Sequence, residues 1–214
     1  DTEQDFVPVT LMALLPSLLV VHPSVPAKSV SEFIAAARAK PGGMSYGTAG
    51  NGSANHLTME LFKVTTRTDV VHVPYKGGGP AMQDLLAGQV KAMFITLPPV
   101  LPQVKAGKLA ALGISSAKRS AALPDVPTVA EAGVPGFEAV SWGGVMAGPN
   151  TPPEIVARLH AELAKIMKMP DIVEKLSGLG AEIVAGTPEE FAAYLKAEIA
   201  KWTKVARDAN VKLD

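Results

Sequence analysis

Two stretches of this chain combine glycines, hydroxyls and a helix start in the way an anion site needs. The first is Ser45-Tyr46-Gly47-Thr48-Ala49-Gly50-Asn51-Gly52-Ser53-Ala54-Asn55-His56, which reads as a strand, a small-residue loop and the start of a helix. A helix N-terminus leaves backbone N–H groups without intrahelical partners and carries partial positive charge. Gly50 and Gly52, on either side of Asn51, let a ligand approach the backbone, and Thr48 and Ser53 add hydroxyl donors. The loop therefore suits a carboxylate or a phosphate. Its glycines miss the G-x-G-x-x-G spacing of dinucleotide sites, and no Gly-Lys-Ser/Thr follows to make a P-loop. The plainer alternative is a tight strand-to-helix turn with Ser53 as N-cap. His56, in the first helical turn, is placed to pack against the loop.

The second stretch is His72-Val73-Pro74-Tyr75-Lys76-Gly77-Gly78-Gly79-Pro80. Tyr75 and Lys76 could face a carboxylate, with Gly77 and Gly78 giving access to the backbone. The plainer alternative is a glycine-rich connection with an exposed lysine. Ligands of open α/β sheets bind outside the carboxyl ends of the strands, so two such loops would converge on one crevice. Thr96, at the end of Phe94-Ile95-Thr96-Leu97-Pro98, points to the same edge. Trp142 lies in a glycine-flanked extended stretch, where it could line a cleft or pack as a buried aromatic.

No catalytic or metal centre is expected. His22, His56, His72 and His160 show neither His-x-x-x-His nor His-Glu-x-x-His spacing. There is no Gly-x-Ser-x-Gly elbow, and a Ser53/His56 pair would need an orienting acid and an oxyanion hole besides. The chain contains no cysteine, which removes disulfides, thiol nucleophiles and thiolate ligands. These residues describe a binder without a cofactor, not an enzyme.

Composition narrows the partners. Twenty basic residues balance twenty acidic ones, so nothing electrostatic calls for nucleic acid. Hydrophobic residues make up 48% and charged ones 19%, enough to build a substantial core. The longest apolar run, Leu11 to Val21, is interrupted by Pro16 and Ser17 and is too short to span a bilayer. Direct membrane insertion is not expected, and no signal peptide is visible.

Strand and helix signals alternate through the middle of the chain. Strands are expected at Leu14–His22, Met44–Gly47, Val70–Val73, Val90–Phe94 and Leu109–Ser115. Helices between them start at a Ser29/Glu32 capping box, near Ala54, at Pro80 and at Leu101. This alternation implies a parallel sheet covered on both faces. A short helix is expected at Thr128–Ala132, an extended strand at Phe137–Ala147 and a short one at Glu182–Val184. Helices then dominate: Pro152–Met167, Pro170–Leu176 and Pro188–Ala209, the last after a Thr187/Glu190 capping box. Ile155, Leu159, Leu163 and Ile166 form an apolar stripe with no sheet of its own in view.

At these residues the chain resembles the substrate-binding proteins of tripartite tricarboxylate transporters, the Bug-type receptors. The similarity runs in order along essentially the whole chain. It lies in Asp5–Thr10, Val20-Val21-His22-Pro23, Ser45–Ser53 with His56, and Val71–Gly77. It continues through Ala106-Gly107-Lys108-Leu109, Leu123–Gly133, Ser141-Trp142 and Thr187–Phe191.

The resemblance implies an α/β, periplasmic-binding-protein-like clamshell of type II, with one complete α/β domain and the C-terminal part of the other. It divides the chain into a first-domain remnant and hinge strand (1–22), a complete ligand-binding domain (23–120), a return crossing and hinge (121–150) and helices of the first domain (151–214). It implies periplasmic capture of a small organic carboxylate, a di- or tricarboxylate or an aromatic acid, and partnership with the large and small membrane subunits of a tripartite system. Many relatives carry Asp then Asn where this chain has Ile95-Thr96, which argues against amino-acid ligands. Relatives also carry a further segment before Asp5–Thr10, which implies that the stripe on the C-terminal helices needs a cover from outside this chain. The alternative with the same architecture is the effector-sensing domain of a transcription regulator.

Overall fold

The computed structural model describes residues 5–211. Its contacts divide the chain into two compact units. One joins the chain up to Leu15 with Ser141–Thr203, and the other joins Pro16–Val140 with the chain from Lys204 onward.

The second unit is built on five strands. They are β1 (Val7–Val21, whose second half belongs here), β2 (Ser45–Thr48), β3 (Val71–Pro74), β4 (Ala92–Thr96) and β5 (Ala110–Ile114), in the order β3-β2-β4-β1-β5. Strand β2 runs parallel to β3 and β4, whereas β1 runs antiparallel to β4 and β5. The expected all-parallel sheet is thus corrected to a mixed one. A buried apolar strand reads the same in either direction, and its polarity is set by partners far away in sequence.

Four helices cover this sheet: α1 (Val30–Ala39), α2 (Ala54–Thr66), α3 (Gly78–Leu86) and α4 (Leu97–Lys105). Successive strand residues point to opposite faces, and the core follows that period. On one face Leu18, Val20, Met93 and Ile95 pack with Ala81 and Leu85 of α3 and Val100 of α4. On the other, Phe94 meets Phe62 of α2 and Phe137, both at 5.9 Å between ring centroids, and Phe33 of α1 adds to Phe62 at 6.0 Å. Both faces are therefore apolar, which is why the strands read as continuous hydrophobic runs.

Ser29 caps α1 as its capping box requires: its side chain accepts from the Glu32 N–H at 3.2 Å. The Glu32 carboxylate reaches back to the Lys28 N–H at 2.7 Å, whereas the Thr128/Glu131 pair bonds reciprocally, at 2.9 and 3.0 Å. No helix follows it, only a turn that ends at Gly133, with φ of 115°. The short helix expected at Thr128–Ala132 is corrected accordingly: a capping box starts a turn, and a left-handed glycine stops it before a helix can propagate.

The first unit holds the leading half of β1, β6 (Val140–Ala147, from Ser141), β7 (Glu182–Ile183), α5 (Pro153–Ile166), α6 (Pro170–Gly178) and most of α7 (Pro188–Asp208). β6 and β7 both pair with β1. Pro16, which has no N–H to give to a ladder, lies between the β1 residues paired with β7 (Ala13, Leu14) and those paired with β4 (from Ser17). In α5, Ile155, Leu159 and Ile166 remain more than 40% exposed.

Candidate functional site

Strands β2 and β3 pair in parallel with Thr48 opposite Pro74, so their carboxyl ends and the loops that follow lie side by side. The backbone joins the two loops. Tyr75 N–H donates to the Thr48 carbonyl at 3.1 Å, and Gly77 N–H to the Ala49 carbonyl at 3.1 Å. The ladder is carried past the strands into the loops, and the two glycine stretches behave as one surface. Gly50 takes φ of 131° and Gly77 φ of 109°, values that a side chain would disfavour.

Within the first loop nearly every polar group has a partner. The Thr48 hydroxyl is buried; it accepts from Gly50 N–H at 3.2 Å and meets His72 Nε2 at 2.6 Å. Ala49 N–H donates to Asn55 Oδ1 at 3.3 Å, and Gly52 N–H to His56 Nδ1 at 3.0 Å. Ser53 stands at the N-cap of α2, but its hydroxyl makes no capping bond. It faces the Gly50 carbonyl at 2.6 Å and Asn55 Oδ1 at 2.7 Å. The helix terminus is left uncapped by a side chain, with its amides directed toward the loop. Asn51 and Gly52 are half-buried at the loop's tip.

The second loop is tied down by Tyr75. Its hydroxyl donates to Asp84 Oδ2 of α3 at 2.7 Å, and burial together with that carboxylate pushes the phenol up to about 12. The hydroxyl thus points to its own helix. Lys76 is exposed, and Gly78 opens α3 with Gly77 at its N-cap. Thr96 is half-buried at the N-cap of α4, at the carboxyl end of β4, and its side chain makes no capping bond. The structure brings Thr48, Gly50, Gly52, Ser53, His56, Tyr75 and Gly77 into one bonded assembly. Trp142 belongs to the other unit, where it packs edge-on against Phe191 at 5.6 Å and Tyr194 at 6.2 Å.

Three residues of this assembly were not among the expected contacts: His72, Asn55 and Glu60, whose Oε1 lies 3.8 Å from His56 Nε2. Asn55 and Glu60 carry a detectable signal. One sits two residues after Ser53, where an Asx side chain reaches backbone amides, and the other is four residues after His56 on the same helix face. His72 has none until β2 and β3 are paired.

A family model described as "Tripartite tricarboxylate transporter family receptor" matches residues 1–211. The chain belongs to this family. A UPF0065 protein from the tcbD-tcbE intergenic region of a Pseudomonas species is 41% identical over 206 residues, covering 96% of this chain and 61% of that protein. The chain spans about three-fifths of the length of that protein and of the Bordetella pertussis protein BugT, another relative. Among solved structures, the Rhodopseudomonas palustris protein Rpa4515 with adipate superposes with a TM-score of 0.88 at 41% identity, over 99% of this chain and 71% of that one. MatC (Rpa3494) from Rhodopseudomonas palustris with bound malate gives 0.83 at 33% identity, over 95% and 70%. The tripartite tricarboxylate receptor fold is the α/β periplasmic-binding-protein clamshell, and the family is one of solute receptors. Among the described residues, no helix of this receptor-family chain is long and apolar enough to cross a membrane.

Proposed function

We propose that this chain is the ligand-capturing part of an extracytoplasmic solute receptor for a small organic carboxylate, a di- or tricarboxylate or an aromatic acid. The observation that carries the reading is the joined pair of loops at the carboxyl ends of β2 and β3, with glycine backbone, the Thr48 and Ser53 hydroxyls and the uncapped start of α2 gathered at one edge. Such a surface receives a carboxylate at the start of α2, where no side chain caps the first helical amides and the half-buried Ser53 hydroxyl can exchange an internal bond for the ligand. Relatives at 41% and 33% identity hold adipate and malate, which supports the same class of ligand here.

In this reading Thr48, Gly50, Asn51, Gly52 and Ser53 form one half of the grip, with His56 beneath it. Tyr75, Lys76, Gly77 and Gly78 flank it, and Thr96, at the end of β4, and Trp142 are further ligand contacts in this reading. The 23–120 region is the jaw that carries this grip, 1–22 a first-domain remnant and hinge strand, 121–150 the return crossing and hinge, and 151–214 the C-terminal helices of the first domain. The receptor works in the periplasm and hands its ligand to the large and small membrane subunits of a tripartite transporter. Ile95, 8% exposed at the end of β4, offers no charge to a ligand ammonium.

A thermal-shift screen decides the reading. Adipate, malate and aromatic acids are expected to raise the melting temperature, and aspartate and glutamate to leave it unchanged. A flat response to every acid would overturn the carboxylate reading; a clear rise with aspartate or glutamate would overturn the exclusion of amino acids.

A further inference from the structure

Under the first loop two imidazoles lie face to face. The rings of His56, from α2, and His72, from β3, stack with centroids 3.9 Å apart and planes 10° from parallel. Tyr46 of β2 continues the stack on His72 at 5.0 Å and 21°. The other charged groups facing it, Glu60 and Lys63, both come from α2. Glu60 Oε1 accepts from the Tyr46 hydroxyl at 2.5 Å and from Lys63 Nζ at 2.7 Å, and lies 3.8 Å from His56 Nε2.

This arrangement favours neutral rings. Glu60 is already matched by Lys63, and two imidazolium ions at stacking distance would repel each other strongly. Burial is the largest cause lowering both histidines, and for His72, pushed down to about 4, the neighbouring His56 adds to it.

Each neutral ring commits one nitrogen to the loop. His56 Nδ1 accepts from Gly52 N–H, so the ring proton resides on Nε2, facing Glu60. His72 Nε2 bonds the Thr48 hydroxyl, which in turn accepts from Gly50 N–H. The loop is fastened near both ends to one aromatic stack.

The geometry points to His56 and His72 as positioning residues, a stacked neutral pair that holds the Thr48–Ser53 backbone in its carboxylate-receiving form and lets go of Gly52 when His56 takes a proton. This rests on the receptor reading above. A protonated Nδ1 cannot accept, so Gly52 N–H loses its partner, the loop relaxes and affinity falls in acid.

Two measurements on the full chain test it. NMR of the histidine ring nitrogens and the Gly52 amide is followed from about pH 8 to about pH 4. The expected result is the Nε2–H tautomer for His56, titration below the free-histidine value of about 6.5, and a Gly52 amide that moves with it. Calorimetric titration with adipate over the same range, corrected for protonation of adipate itself, is expected to lose about tenfold in affinity with the same midpoint. His56→Asn, whose side-chain oxygen can take the place of Nδ1, is expected to keep a partner for the Gly52 amide and to make that amide indifferent to pH. His56→Phe keeps a ring but no acceptor, and loses about tenfold at every pH. A Gly52 amide indifferent to histidine titration, or histidines titrating near the free value, would overturn the proposal. Wild-type protein that binds neither adipate nor malate at neutral pH would count against the receptor reading, while the NMR titration still decides the role of the pair.

Discussion

Tyr75 and Asp84 are linked by a 2.7 Å hydrogen bond that ties the loop after β3 to the helix it leads into. The bond spends the tyrosine hydroxyl inside its own unit, so Tyr75 shapes the second loop through its backbone and ring. Tyr75→Phe is expected to cost about 1 kcal/mol of stability, the usual worth of one such bond. It should also remove a late phenol transition. In the folded protein that phenol ionises near 12, so between about 10 and 12 the unfolded state loses its proton first and stability falls as pH rises. Alkaline spectrophotometric titration of wild type and Y75F checks both points.

Thr48 is the most heavily used side chain of the first loop. Thr48→Val keeps its shape and removes the hydroxyl, leaving Gly50 N–H and His72 Nε2 without their partner. The expected cost is about 1–3 kcal/mol in stability, the range for a buried polar group left unmet. Adipate affinity should fall at least about tenfold, some 1.4 kcal/mol. Thermal melts and calorimetry on one preparation separate the two effects; unchanged affinity would remove Thr48 from the site.

Acid should destabilise the fold before it titrates the carboxylates. His72 is pushed down to about 4 against an ordinary 6.5. As pH falls through that window the unfolded chain binds a proton that the folded chain refuses, so stability is full above about 6.5 and declines toward 4. A melting temperature clearly lower at pH 5 than at pH 7.5 in wild type, with the difference reduced in His72→Gln, is the expected outcome.

Gly144 gives a packing test in the other unit. A Cβ there would lie 2.5 Å from Phe191 Cζ and 3.1 Å from the Thr10 carbonyl, whereas at neighbouring Gly143 it would meet nothing within 4 Å. Gly144→Ala is expected to cost about 1–3 kcal/mol through overpacking, and Gly143→Ala close to nothing. Equal melting temperatures for the two variants would contradict the close approach of β6 to Phe191.

The exposed stripe on α5 is a surface, as far as this unit is concerned. Leu159→Glu should change stability by less than about 0.5 kcal/mol, since Leu159 is 41% exposed. It should lower binding of a hydrophobic dye and any tendency to self-associate.

What the sequence disclosed depended on how local the determinant was. The caps at Ser29 and Thr187 were legible because residues three apart make the bonds, and Thr187 N–H indeed donates to Glu190 Oε2 at 2.8 Å. The glycine loops were legible for the same reason. The direction of β1 was not, because antiparallel pairing of Leu18 with Ile95 and with Ile114 joins residues far apart along the chain. His72 was hidden likewise: its place beside Thr48 follows from the pairing of Tyr46 with His72 across two strands.

The two bonds that join Thr48 and Ala49 to Tyr75 and Gly77 set a rule for redesign. Neither loop owns its conformation, so exchanging one of them with a relative would bring a backbone built to mate with a different neighbour. The two loops are inherited as a block, and a graft that is to keep their shape must take both of them and the two strands that deliver them.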